Sequence, residues 1–302
     1  MPSYSKDKCP VCGHAEFRTI GALREKVSAV PVPDGSVIAA CRNCKLIYVN
    51  PMPYWNSEDF LALYDNTYFS FLESEEQREW FNIRENVIPH KRYRAVEPYL
   101  KSETKKMLEV GAGEYAFMCR HLIGKGWNAT AQEPGKTFAE KLRGIDGLNV
   151  ETRDILELDD TPTYSFIYAD SVMEHVPDPV EYYKKLSGLL LPGGVIYTVS
   201  PNEYSMYNFL LNIVSKSKGK NPHYISPYIE PYHLLGFTRK SLEILGSKSS
   251  LKLISYRKKD DYKAFIVIKS NRNAIIKYPL AALYAVSQSV GLGTNGECLF
   301  CK

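Results

Sequence analysis

The sequence lacks the marks of export and of membrane spanning. Its first residues, MPSYSKDKCP, contain no apolar core of the kind a secretory signal needs. The most apolar late stretch, IIKYPLAALYAVSQSVGLG, is broken by Lys277, Pro279 and Gln288 and is too polar and short for a span. A cytoplasmic protein that does not enter a membrane is expected. No segment repeats, which sets repeat architectures aside. Seven cysteines in such a compartment do not build a disulfide framework. What is present is ample for a core: 302 residues, 44% hydrophobic and 24% charged, enough for one large or two modest soluble domains.

Charge is uneven. The net value is +4, yet from Lys216 onward there are 15 basic against 5 acidic residues, leaving 23 basic and 29 acidic before it. A basic C-terminal part suits an anionic small-molecule partner, and equally a plain solvated face. The acidic N-terminal part has no dense Arg/Lys run, so nucleic acid is a poorer match.

Four of the cysteines form two tight pairs, Cys9 and Cys12 in CPVCGH, Cys41 and Cys44 in CRNCK. Each spacing lets two thiolates converge on one ion, and two such knuckles make a tetrahedral sulfur site. Pro10 and Gly13 suit the tight turn of a knuckle. The 28 residues between the pairs predict a longer hairpin, with strands in FRTI, KVSAV and SVIAA and a turn at PDG. Four cysteines close the coordination shell and leave no position for water, so the expected ion is structural zinc. His14 reads as a flanking surface residue. Cys298 and Cys301, three apart in a terminal strand, point to opposite faces and are read as packing residues.

Three regions follow from the patterning: a zinc-binding module over 1–50, a helical connector or lid over 51–104, and an α/β domain over 105–302. NPMP ends the first. In the second, Ser57 caps a helix through EDFLALY, and SEEQREWFNIRENVI forms another that stops at Pro89. In the third, KMLEV, NATAQEP, LNVETRD, YSFIYAD and GVIYTVS read as strands, separated by helices in EYAFMCRHLIGKG, KTFAEKLRG and DPVEYYKKLSGLL. Asp178 is placed to cap the last of these, which PGG ends. FTRKSLEIL, LKLISYR and KAFIVIKS continue the series, with a helix near 274–289 and a strand near 296–301. Such alternation predicts a parallel sheet with helices on both faces.

The first strand runs into EVGAGEYA, where Gly111, Gly113 and Ala116 fit a dinucleotide fingerprint. Glu133, 20 residues past Gly113 at the end of the second strand, can accept hydrogen bonds from both hydroxyls of a ribose. These features suit a dinucleotide and S-adenosylmethionine equally. Glu109 separates them, because a carboxylate at the loop repels a pyrophosphate and attracts a sulfonium with its ammonium group. No second glycine-rich turn is present for a second nucleotide half.

At this point the sequence resembles the class I S-adenosylmethionine-dependent methyltransferases, whose first motif, E/D-x-G-x-G-x-G, is matched by EVGAGEY with Tyr115 in place of the third glycine. The resemblance implies a doubly wound, mostly parallel seven-stranded sheet. It implies that Glu133 holds the ribose, that Asp154 and Ile155 of RDILEL contact the adenine, and that Asp170 of DSVMEHVPDP lies near the methionine part. With the cysteine module in front, the chain resembles methyltransferases of sugar-modifying and surface-polysaccharide gene sets. It is similar also to the front two-thirds of sugar C-methyltransferases, whose further C-terminal domain it is too short to hold, which favours an O-methyl acceptor. The resemblance implies His233 of EPYHLLGFT as the base facing the acceptor, with Tyr232 where the family has a glutamate. It implies His175 as a second candidate and Tyr68 of YDNTYF, with Tyr64 behind it, as an aromatic closing over cofactor and acceptor. NPHYISPYIEP reads as an acceptor lid. Two other readings remain open, a zinc-ribbon RNA methyltransferase and a non-catalytic cofactor-binding scaffold.

Overall fold

The computed structural model describes residues 8–22, 35–52, 75–219, 233–259, 267 and 273–302. Two sheets are present among them. The larger has seven strands in the spatial order β10-β11-β8-β7-β4-β5-β6. Its strands are β4 (Lys106–Val110), β5 (Asn128–Gln132), β6 (Leu148–Glu151), β7 (Tyr164–Asp170), β8 (Leu190–Pro201), β10 (Lys252–Lys259) and β11 (Asn295–Cys301). All neighbouring pairs from β8 through β6 are parallel. Only β11 runs the other way, inserted between β10 and β8.

The period-two pattern of the strands explains why both faces are covered. In β7, Phe166 and Tyr168 enter one hydrophobic cluster while Ile167 and Ala169 enter the other. Helices α2 (Ile88–Val96) and α3 (Phe117–Ile123) pack on the first face through Tyr93, Val96, Met118 and Leu122; α4 (Lys136–Leu142) adds Leu142. Helices α5 (Pro179–Leu189) and α7 (Arg239–Lys248) pack on the second through Tyr183, Leu186, Leu242 and Leu245. Asp178 caps α5, its carboxylate accepting the Glu181 N–H at 2.9 Å. Cys298 is buried in the second cluster and Cys301 lies against the first, the opposite-face placement expected of them.

Four local expectations change. Helix α1 (Glu75–Asn86) does not stop at Pro89; that proline lies in the first turn of α2, where a missing N–H costs nothing. Helix α3 begins at Phe117, not at Glu114 or Tyr115, because Ala116 holds a left-handed conformation at φ 43°. PGG lies inside the twelve-residue β8, with an irregularity in its pairing to β7, so it bends a strand where it was expected to stop a helix. Helix α6 (Met206–Ser217) was not anticipated; it packs with α8 (Ala274–Ser289). KVSAV, most of PDG, the EDFLALY helix and most of KAFIVIKS lie outside the described residues.

The second sheet is antiparallel, β1 (Phe17–Ala22), β2 (Val37–Cys41), β3 (Ile47–Asn50) and β9 (Leu235–Gly236). Its last strand comes from the C-terminal half of the chain. The N-terminal residues Cys9, Val11, Leu46 and Ile47 accordingly share one hydrophobic cluster with Leu235, Phe237 and Leu242. No helix among the described residues is long and apolar enough to cross a membrane.

The junction is tight at Gly236. A Cβ there would lie 2.5 Å from Glu203 Cγ and 3.3 Å from Ile47 Cβ, so the β3–β9 approach depends on its absence. Gly236→Ala is expected to destabilise the protein by roughly 1–3 kcal/mol, the usual scale of overpacking. Urea unfolding midpoints of the two proteins test this, and an unchanged midpoint would contradict it.

Candidate active site

The glycine loop follows β4 at the point where the strand order reverses, with β5 on one side and β7 on the other. That is the place where open α/β sheets bind ligands. Its conformation is fixed by acceptors at the end of β5. The Gly111 N–H donates to Gln132 Oε1 at 3.1 Å and the Ala112 N–H to the Gln132 carbonyl at 3.0 Å. The Gly113 N–H donates to Glu133 Oε2 at 2.8 Å, while Glu133 Oε1 takes the Gly135 N–H at 2.8 Å. A carboxylate oxygen can accept two hydrogen bonds, so the ribose role expected of Glu133 is chemically compatible with these bonds. Gly111 is required twice: φ is 58°, and a Cβ would lie 2.7 Å from Val172 Cγ2. Around Gly113 (φ 60°) a Cβ would meet nothing within 4 Å, which leaves open space beside the loop backbone.

Tyr115 replaces the third glycine for a visible reason. Its ring stacks on Phe117 at 5.2 Å and meets Phe81 of α1 edge-on at 4.3 Å, pinning the connector to the loop.

The acidic residues at the strand ends have different surroundings. Glu109 is buried and its Oε2 accepts the Cys119 N–H at the start of α3, 2.8 Å away. Burial raises its pKa to about 7, with the Cys119 and Met118 backbone groups opposing the rise. Asp170 is the opposite case. Burial alone would raise it, but Arg92 and Arg84 override that and hold it at about 2. Its Oδ2 receives Arg84 Nη2 of α1 and Arg92 Nη1 of α2, each at 2.7 Å. Arg92 is itself buried, bonds the Tyr168 hydroxyl, and lies 3.5 Å from Glu297.

Asp154 caps a short 3-10 turn, accepting the Leu156 N–H at 2.8 Å. Ile155 is fully buried in the core and Leu156 is 43% exposed, so Leu156 is the apolar side chain this turn presents.

Beyond β7, the segment whose Val172 covers Gly111 continues into Glu174 and His175. His233 meets it from just before β9, the two imidazoles edge to face with centroids 4.8 Å apart. Glu174 Oε1 is 3.9 Å from Nε2 of each. Burial, then the neighbouring His175, lowers the His233 pKa to about 3, leaving a neutral ring. Tyr64, Tyr68, Tyr232 and the NPHYISPYIEP segment lie outside the described residues. The expected His175 and His233 are thus brought together, and the segment carrying His175 borders the loop of Gly111. Glu133 and Asp154 follow the C-terminal ends of the neighbouring parallel strands β5 and β6.

At the second sheet, the four sulfurs converge. Cys9 Sγ is 3.6 Å from Cys44 Sγ and Cys12 Sγ is 3.5 Å from Cys41 Sγ, with all four within 4.8 Å of one another. The knuckles match: the Gly13 N–H donates to the Cys9 carbonyl and the Lys45 N–H to the Cys41 carbonyl, both residues at positive φ. Such spacings fit the edges of a sulfur tetrahedron around one ion.

Residues 77–255, more than half of the chain, match the methyltransferase domain family. The chain belongs to this family. The methyltransferase is 27% identical over 148 residues to the ubiquinone biosynthesis O-methyltransferase of Saccharophagus degradans, an alignment covering 45% of this chain and 62% of that protein. Its fold is similar to the Haloferax volcanii structure of the Trm112 methyltransferase activator in complex with a methyltransferase (TM-score 0.54, 12% identity, 78% of this chain and 97% of that one). It is similar also to geranyl diphosphate C-methyltransferase from Streptomyces coelicolor A3(2) (TM-score 0.50, 11% identity, 80% and 85%). These likenesses establish the Rossmann-like methyltransferase fold with its seven-stranded, mostly parallel sheet.

The Asp170 pairing has a pH signature. Its folded value of about 2 lies below the ordinary aspartate value of 3.8, so its stabilisation is complete above pH ~4 and is lost as pH falls towards ~2. Between those limits the methyltransferase is expected to lose about 2 kcal/mol through this group, and Asp170→Asn to remove that component. Denaturant unfolding across an acid series measures the difference, and an identical acid limb in both proteins would contradict it.

Proposed function

We propose that the protein transfers a methyl group from S-adenosylmethionine to an oxygen of a small anionic acceptor, a nucleotide-linked sugar or polysaccharide precursor. The carrying observation is the single glycine loop held by Glu133 and abutted by the segment that bears Glu174 and His175. Bound S-adenosylmethionine supplies a methyl group already activated by its sulfonium. Gly111 and Gly113 let the backbone approach the cofactor, and Glu133 orients the ribose. Asp154 and Leu156 frame the adenine. Glu109 offers a buried carboxylate to the cationic end, where low dielectric strengthens the attraction. Asp170 acts through Arg84 and Arg92, which it locks against the sheet end. His233, one-fifth exposed, stands with His175 and Glu174 on the acceptor side and activates the acceptor oxygen.

The anionic part of the acceptor has a matching cavity of about 660 Å³, lined by Arg239, Arg257, Lys258, Lys259, Tyr204 and Tyr256. Phe237 and Thr238, four and five residues beyond His233, also line it. Four cations beside two phenol rings suit phosphates and a flat base. The likeness to a ubiquinone biosynthesis O-methyltransferase supports oxygen as the acceptor atom. Cys9, Cys12, Cys41 and Cys44 hold a structural zinc ion, which has no part in the chemistry because its four sulfurs close the shell.

Transfer of labelled methyl from S-adenosylmethionine into a host extract, split into anionic metabolites, RNA and protein, tests the acceptor. Label in the metabolites is expected, and label confined to RNA would overturn the sugar reading. Cofactor affinity tests Glu109 separately. Below pH ~7 a cation must displace a proton from this carboxyl, so affinity is expected to fall towards tenfold per unit of pH. Glu109→Gln should bind weakly without that slope. Calorimetric titration from pH 5 to 8 decides it.

A further inference from the structure

Glu174 is fully buried, yet neither carboxylate oxygen meets a hydrogen-bond donor. An isolated buried carboxylate is costly, and a protonated one in the same place leaves an O–H with no acceptor in reach. A proton alone therefore does not account for the site. What surrounds the group are imidazole nitrogens, Nε2 of His175 and Nε2 of His233, both 3.9 Å from Oε1. One ligating atom from each of the three residues lies within 4.8 Å of the others. His233 Nδ1 is also buried without a partner.

We propose that Glu174, His175 and His233 bind a divalent first-row metal cation such as zinc, distinct from the ion of the four cysteines. Two imidazoles and one carboxylate are the donor set of cations that keep an open coordination position. Around a tetrahedral ion with bonds of about 2.0–2.2 Å, ligand atoms stand roughly 3.3–3.5 Å apart. The two carboxylate–imidazole distances close from 3.9 Å by about half an ångström, and the pair of imidazoles, within 4.8 Å, by at most about 1.5 Å, which side-chain rotation supplies. The backbone already holds the pair of segments together, since the Leu234 N–H donates to the Glu174 carbonyl at 2.6 Å. The open position faces the His233 side, where the cluster reaches solvent: His233 is 20% exposed against 7% for His175 and none for Glu174. An oxygen of the acceptor fills it. This last use rests on the acceptor reading above and gives His233 its activating role as a ligand, whereas the binding of the cation does not depend on that reading.

The test is cobalt binding to the full chain, with cobalt as a coloured substitute for zinc and metal content counted per chain. Two equivalents are expected. One carries thiolate-to-cobalt charge-transfer absorption; the other shows only the weaker visible bands of nitrogen and oxygen ligation. His233→Ala and Glu174→Gln should each weaken the second by at least tenfold and leave the thiolate bands intact. Cys41→Ser should do the reverse. Because Glu174 is buried, the partly exposed His233 supplies the variant that folds, checked by circular dichroism. A single equivalent with thiolate bands alone would overturn the proposal, as would two equivalents unaffected by either variant. A single equivalent without thiolate bands, lost in His233→Ala, would uphold it while refuting zinc at the cysteines.

Discussion

The short ladder between β3 and β9 is the constraint on which the placement of His233 beside Glu174 and His175 depends. Ile47 pairs with Gly236 and Tyr48 with Leu235, and the Val49 N–H donates to the Leu234 carbonyl. The opposite edge of the same residue is used as well: the Leu234 N–H reaches the Glu174 carbonyl. Leu234 is thus a backbone bridge from the N-terminal sheet to the segment that follows β7, and His233 is its immediate neighbour. A histidine that joins a long connection is normally free to wander by several ångström. Here both hydrogen-bonding directions of the next residue are satisfied by rigid elements, so the ring is carried to a defined place beside His175.

The acidic residues at the strand ends show how environment divides identical chemistry into separate tasks. Glu109, Glu133 and Glu174 are buried, and Asp170 partly so, near the C-terminal edge of one sheet. Asp170 has two guanidinium partners and stays ionised far into acid. Glu133 has two backbone N–H groups and serves as the support of a loop. Glu109 has backbone donors but no cation, and burial lifts it to about 7. Glu174 has neither. An unmet carboxylate is destabilising, so its retention in an otherwise well-paired sheet edge argues for something it binds.

The sheet was legible because its central strands β4, β7 and β8 carry long buried runs, as strands covered on both faces do, and because glycine or capping residues punctuate the helices between the strands. The two cysteine knuckles were legible because four thiols at paired spacing have few other uses. What escaped was long-range. Arg84 and Arg92 reach Asp170 across 86 and 78 positions, and nothing local marks them. Glu174 lay in a stretch already singled out, but its isolation from donors is a property of packing. Gln132 escaped because it stands next to a louder residue, although it holds the first glycine of the loop. Ile155 was expected at the adenine and lies in the core, while its neighbour Leu156 is exposed. A one-residue difference reverses which side chain faces out, and a 3-10 turn has no periodicity long enough to reveal it.

The cysteine module, read from sequence as a separate piece, is bound into the larger domain by its knuckles as well as by its sheet. Thr238, which caps α7, also donates to the Cys44 carbonyl at 2.7 Å. The Tyr204 hydroxyl donates to the Lys45 carbonyl, Lys240 to Asn43, and Lys248 to the Val11 carbonyl. These contacts use atoms whose positions are set by the turn around the four sulfurs. Order at that cluster is therefore passed to α7 by side chains that bond the knuckle carbonyls, and to β9 by the backbone ladder with β3. A small module holds such positions poorly on its own, and the zinc ion proposed at the four sulfurs would add rigidity to its core. The distance from the cluster to the chemistry then matters little. Its effect arrives through three consecutive residues, His233, Leu234 and Leu235, whose first member stands beside His175 and Glu174 and whose last lies in a strand of the module's own sheet.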